Sequence, residues 1–88
     1  MINMKEKIIK DYINKLTIND ISNFAKLKNI NINDTDLIIL YNYVKKHYQD
    51  FLNGNDTNLV KEIKDKINPV TFKEVYKLYL EYKIKYLK

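Results

Sequence analysis

Residues 33–53 read NDTDLIILYNYVKKHYQDFLN, and the spacing of their apolar members decides the fold class. Leu37, Leu40, Tyr41, Val44, Tyr48 and Phe51 recur at intervals of three and four. Stepping residues by about 100° gathers them into one stripe along a helix. Lys45, Lys46, Gln49 and Asp50 fall mostly outside that stripe. Asn33 is a preferred N-cap, because its side-chain oxygen accepts a backbone N–H that the first turn leaves without a partner. Asp34 and Asp36 then set negative charge at the positive end of the helix dipole.

The same period continues on both sides, with one glycine and one proline in the whole chain to interrupt it. Upstream, a helix over about residues 3–15 places Ile8, Ile9, Tyr12, Ile13 and Leu16 on one arc, with its lysines facing the other way. Thr17, with Asp20 three residues on, resembles an N-cap pair and opens a second helix with Ile18, Ile21, Phe24 and Ala25 on its inner face. That helix ends near Asn29, and Ile30-Asn31-Ile32 follows as an extended link with two hydrophobic plugs.

Downstream, Asn53-Gly54-Asn55-Asp56 breaks the pattern. Its glycine suits a left-handed C-cap, and Asp56 or Asn55 can cap a short fourth helix. That helix carries Leu59, Val60, Ile63 and Ile67 on a narrow arc and is expected on the outside of the bundle. Asn68-Pro69 is the sharpest boundary, a capping residue followed by a proline suited to the first helical turn. Alternatively, Thr71 and Glu74 form a capping box just after it. The fifth helix runs to about Leu87, with Val75, Leu78, Tyr79, Tyr82 and Tyr86 as one seam. Leu80, Ile84 and Leu87 make a second seam, with Tyr76 between the two. Burying both requires neighbours on two sides, so this helix is either the central rod or an oligomer contact. The expectation is an all-α, compact bundle of four or five short helices forming a single domain over residues 1–88.

Composition narrows the function classes. With no cysteine there is no disulfide framework, thiolate nucleophile or Cys-ligated zinc, and one histidine leaves only oxygen ligands for a metal. The segment 53–58 looks like a calcium loop, but Gly54 as the loop's sixth position puts Val60 where a bidentate carboxylate is required. A lone glycine also excludes phosphate-cradling glycine loops. His47 lies on the flank of the third helix's stripe, where a packing or boundary residue is the expected role. Glu62, Glu74 and Glu81 each sit within four residues of a lysine, the pattern of solvated helix pairs. No catalytic, cofactor-binding or metal site is therefore expected, and the protein reads as no enzyme.

The early lysines and acidic residues leave no uncharged stretch for a secretory signal, and no run approaches the length of a membrane span. An intracellular, cytoplasmic protein with no membrane partner is the expectation, and the two Asn-Asp-Thr tripeptides at 33–35 and 55–57 read as helix starts rather than glycosylation sites.

The formal charge of +5 invites a nucleic-acid partner. All sixteen basic residues are lysine, however, and arginine is the usual tool for bidentate contact with phosphate and guanine. Lysine, asparagine, isoleucine and tyrosine make up 49 of 88 residues, and all four have A/T-rich codons, so codon usage accounts for much of the lysine.

Leu16-Thr17 through Phe24-Ala25-Lys26, then Ile30-Asn31-Ile32, then Asn68-Pro69-Val70-Thr71-Phe72-Lys73-Glu74-Val75 give the chain a resemblance to the YqfT-like family, short proteins of Bacillus and relatives among the Firmicutes. The Pro-Xaa-Thr-Xaa-Lys-Glu-Val stretch carries most of it, and the likeness spans about residues 12 to 82. It implies a small intracellular bacterial protein; the family brings no assigned activity. Leu16-Thr17-Ile18, Ile21, Ala25-Lys26 and Ile30-Asn31-Ile32 are also similar to the SAP-type helix-extended-helix motif, which in its family binds DNA.

Two functions are expected on these grounds. The first is a protein-protein interaction module whose partner is another protein or its own copy, with Tyr76, Leu80, Ile84 and Leu87 as the contact surface. The alternative is a weak, largely sequence-nonspecific nucleic-acid binder using Lys26, Lys28, Lys73, Lys77, Lys83 and Lys85.

Overall fold

Helix boundaries fall where local side-chain chemistry can satisfy the backbone groups that a helix end leaves open. The computed structural model describes residues 4–86, apart from the side chains of Lys5, Tyr82, Ile84, Lys85 and Tyr86. Its five helices are α1 (Met4–Lys15), α2 (Ile18–Leu27), α3 (Asp34–Leu52), α4 (Thr57–Lys66) and α5 (Pro69–Tyr86).

Thr17 and Asp20 close a reciprocal capping box at the start of α2: the Thr17 backbone N–H donates to Asp20 Oδ2 at 2.9 Å and the Asp20 N–H to Thr17 Oγ1 at 3.2 Å. Asn33 caps α3 by accepting the Asp36 N–H at 2.8 Å. At α5 the choice left open by the sequence resolves to Asn68, whose Oδ1 accepts the Val70 N–H at 2.9 Å and the Thr71 N–H at 3.4 Å. Thr71 is buried, and its hydroxyl donates to the Asn31 carbonyl at 3.3 Å instead of capping.

Two helices end in the same motif. After α3, Gly54 adopts φ +80, its N–H reaches Phe51 O at 3.4 Å, and the Asn55 N–H reaches Asp50 O at 2.9 Å, a Schellman closure. After α2, Asn29 takes the left-handed position at φ 59, with Asn29 N–H to Lys26 O at 3.1 Å and Ile30 N–H to Ala25 O at 2.8 Å. Asparagine, which tolerates this region better than other non-glycine residues, does here what glycine does at 54.

The packing corrects one expectation. The central rod is α3, not α5: α1, α2 and α4 all pack on α3, and α5 packs on α4. The short α4 lies on the outside as its narrow arc implies, with Thr57, Asn58, Lys61, Glu62, Lys64, Asp65 and Lys66 exposed, while Ile63, and Ile67 just beyond its end, join Leu40 of α3 in the buried cluster. Ile32, Ile39, Tyr43, Phe51, Phe72 and Val75 pack around the cluster. The radius of gyration of 12.8 Å is close to the roughly 12 Å of a folded chain of this length, so the all-α domain is compact.

Buried polar groups stitch the bundle across long sequence separations. Asp36, almost wholly buried, accepts from Asn33 Nδ2 at 3.2 Å and from the Asn68 backbone N–H at 3.0 Å, joining the start of α3 to the start of α5. Asp56 was expected to cap α4, but its side chain makes no capping bond. It turns to α5, accepting the Tyr79 hydroxyl at 2.5 Å and the Lys83 ammonium at 2.9 Å. Asp56 is only 6% exposed. Burial pushes its carboxyl up, but the Tyr79 and Lys83 hydrogen bonds and the Lys83 charge outweigh that and hold it below the ordinary carboxylate value. Burial, then the Asp56 carboxylate, drives the Tyr79 hydroxyl well above its ordinary pKa.

Lys45, which falls outside the apolar stripe of α3, reaches the C-terminal end of α1. Its ammonium donates to the carbonyls of Ile13, Asn14 and Leu16 at 2.8, 3.1 and 3.4 Å. It thus satisfies carbonyls at the negative pole of the α1 dipole. At His47 the backbone of α3 leaves helical geometry (φ −120, ψ 18) and the helix kinks. The imidazole is half-buried, 5.7 Å from the Tyr43 ring, with Nδ1 3.5 Å from Asp50 Oδ2. No helix among the described residues is long and apolar enough to cross a membrane.

Candidate interaction surface

The sequence places five apolar residues of α1 on one arc, and the fold divides them. Ile9 and Ile13 turn half-buried toward α3 and Leu16 is buried, while Met4, Ile8 and Tyr12 stay 79%, 62% and 64% exposed. The exposed three are spaced by four residues, so they align as one ridge along the helix. Among the described residues α1 packs against α3 alone, and one neighbour covers only one side of a helix. The width of the apolar arc was the signal in the sequence, and the periodicity alone could not tell which half would face inward.

The proposed α5 surface is only partly in view. Tyr76 is half-buried and stacks on Phe72 at 5.4 Å with an interplanar angle of 11°, leading through Tyr79 at 6.4 Å to Phe51, which meets Tyr79 edge-on at 5.7 Å. This aromatic row ties α5 to the end of α3, so Tyr76 contributes to packing. Leu80 is 38% exposed. The Ile84 side chain and Leu87 lie outside the described residues, as do the side chains of Tyr82 and Tyr86.

Of the six lysines proposed for nucleic-acid contact, the structure brings Lys28 and Lys77 to one groove. Lys83 is engaged by Asp56. Lys28 sits 5.8 Å from the Phe24 ring centroid and lines a shallow groove with Lys77, and the same groove carries Glu74 and Glu81, so cations and carboxylates balance there. Lys26 and Lys73 are exposed on α2 and α5, and the Lys85 side chain lies outside the described residues. The start of α3, a place where a helix dipole attracts phosphate, already holds the carboxylates of Asp34 and Asp36.

A wider cleft of about 550 Å³ opens between α3 and α4, lined by Ile39, Asn42, Tyr43, Lys46, His47, Glu62 and Lys66. Two of its polar groups pair, the Lys66 ammonium donating to the Tyr43 hydroxyl at 3.0 Å, a bond that raises the pKa of Lys66, while His47 meets Asp50 beside the cleft. Among the described residues no three His, Asp or Glu side chains converge as a metal site would require.

Compared with protein-family models, curated proteins and solved structures, the chain matches none of them.

Proposed function

We propose that the protein is a cytoplasmic, non-enzymatic interaction module that binds protein through apolar side chains its fold leaves at the surface. The observation that carries this reading is the ridge of Met4, Ile8 and Tyr12, three large apolar side chains aligned on one helix face and turned to water. Single exposed apolar residues are ordinary, whereas an aligned set mostly marks a contact surface. Leu80 on α5 is exposed as well, as are Leu27, Val70 and Ile38, and with Tyr76, Ile84 and Leu87 it belongs to the proposed surface as a separate face. The resemblance to the YqfT-like family fits a small bacterial protein of this kind.

The nucleic-acid reading draws support from the helix-extended-helix order of α2, the 30–32 link and α3. Against it stand the carboxylates beside Lys28 and Lys77 and the engagement of Lys83 by Asp56.

The test compares the wild-type chain with Ile8→Asp as affinity baits, alongside anisotropy titrations of labelled single- and double-stranded DNA and RNA at about 50 and 200 mM salt. Specific protein capture that Ile8→Asp removes, with flat nucleic-acid titrations, is the expected result. Saturable binding that collapses at the higher salt and weakens on Lys26→Ala or Lys73→Ala would replace this reading with the nucleic-acid one.

A further inference from the structure

We infer that the α1 ridge is covered by the α1 ridge of a second copy, the two helices running antiparallel across a two-fold axis near Ile8. The inference rests on the interaction-module reading and names the occupant of that surface. A two-fold contact requires a face that complements itself. The ridge itself supplies the apolar half of that condition: residues spaced by four form the ridge that packs into the matching groove of an identical helix. Centring the contact on Ile8 brings Met4 toward the partner's Tyr12, and Tyr12 toward the partner's Met4.

Charge supplies the other half. Measured from Ile8 at about 100° per residue, Asp11 and Lys7 lie on the same flank of the ridge, about 60° and 100° away. Both are exposed. In a two-fold antiparallel pair that flank meets the same flank of the other copy with the chain direction reversed, so Lys7 approaches the partner's Asp11 and Asp11 approaches the partner's Lys7. A two-fold parallel pair would put this flank on opposite sides of the seam in the two copies, so that Lys7 and the partner's Asp11 could not meet. Lys15, exposed two turns on and about 20° from Ile8, adds positive charge at the end of the same face, and a uniformly acidic helix would meet the lysines but set a carboxylate against Asp11. The face therefore fits a partner carrying both signs in reverse order, which an identical helix provides.

The area sets the strength. Three side chains at these exposures offer on the order of 300–400 Å² per copy, below the roughly 800 Å² per partner of a stable complex, so the dimer is a weak and transient one.

Sedimentation velocity from about 10 µM to 1 mM in about 50 mM salt tests this. The mass is expected to rise with concentration from 10.6 kDa toward twice that value. Ile8→Asp should hold it at the monomer, Lys7→Glu should weaken association by about fivefold, and Lys7→Glu with Asp11→Lys together should restore it. Leu80→Asp should change nothing. A constant monomer mass at 1 mM, a double exchange that fails to restore pairing, or loss through Leu80→Asp in place of Ile8→Asp would each overturn the proposal. Should Ile8→Asp disturb folding by circular dichroism, the exposed charge exchange still decides the question. A monomeric chain that nevertheless captures another protein through Ile8 refutes self-pairing and leaves the module reading intact.

Discussion

α1 and α4 are short amphipathic helices that the fold treats in opposite ways. In α4, with ten residues, Leu59 and Ile63 are buried, and Ile67 just beyond its end is buried as well. In α1, with twelve residues, no apolar residue is fully buried and three are largely exposed. Composition does not explain the contrast, because α1 carries more apolar residues than α4. Neighbours do: among the described residues α4 packs against both α3 and α5, whereas α1 packs against α3 alone. The benefit of an apolar side chain comes from the water it leaves, and a helix with one neighbour can use only part of its apolar surface.

The sharpest way to probe the contrast is to truncate one residue on each side of it. Ile63→Ala should cost about 3 kcal/mol, through lost burial and the cavity left beside Leu40 and Ile67, and should lower the urea midpoint markedly. A loss below about 1 kcal/mol would mean that α4 is as loosely held as α1.

Next in size is the link between α4 and α5. Asp56→Ala leaves Tyr79 and Lys83 without their acceptor and should cost about 2 kcal/mol, part of the Lys83 contribution being screened by solvent. Because the Asp56 carboxyl titrates lower in the folded chain than unfolded, its contribution is present above the ordinary carboxylate value and is lost as pH falls through the folded value. Wild-type stability should therefore drop below about pH 4, and Asp56→Asn should flatten that part of the profile in urea titrations.

A smaller effect is expected where α1 is held. Lys45→Met keeps the aliphatic stem but removes the donor to three α1-end carbonyls, and should cost about 1 kcal/mol. Hydrogen exchange should locate the loss in α1 amides while α3 and α4 remain protected. The smallest change completes the comparison: Ile8→Ala should alter stability by no more than about 0.5 kcal/mol in the same urea assay.

The capped starts at Thr17, Asn33 and Asn68 and the glycine turn at Gly54 were legible because their chemistry closes within a few residues. The kink at His47, the turn of Asp56 toward α5 and the reach of Lys45 to α1 were not, since each depends on a neighbour brought by the tertiary fold. Periodicity likewise identified the apolar arc of α1, but which part of it stays open is settled by the number of packing partners. The two seams read along α5 pointed to a central rod or an oligomer contact, yet α3 is the longer helix and the one on which α1, α2 and α4 pack. The lysines show the same limit, because sixteen positive charges in a sequence do not reveal which of them meet a carboxylate.

The Asp36–Asn68 and Thr71–Asn31 bonds have a consequence for the chain as it is synthesised. They join positions 32 and 40 residues apart, and the partner in each case is made last. While residues 1–52 emerge from the ribosome, Leu40 has neither Ile63 nor Ile67 against it, and the Asp36 carboxylate lacks its backbone donor. A chain ending at that stage would therefore lack the partners of Asp36, Asn31 and Leu40 and would leave uncovered apolar surface that the longer chain conceals.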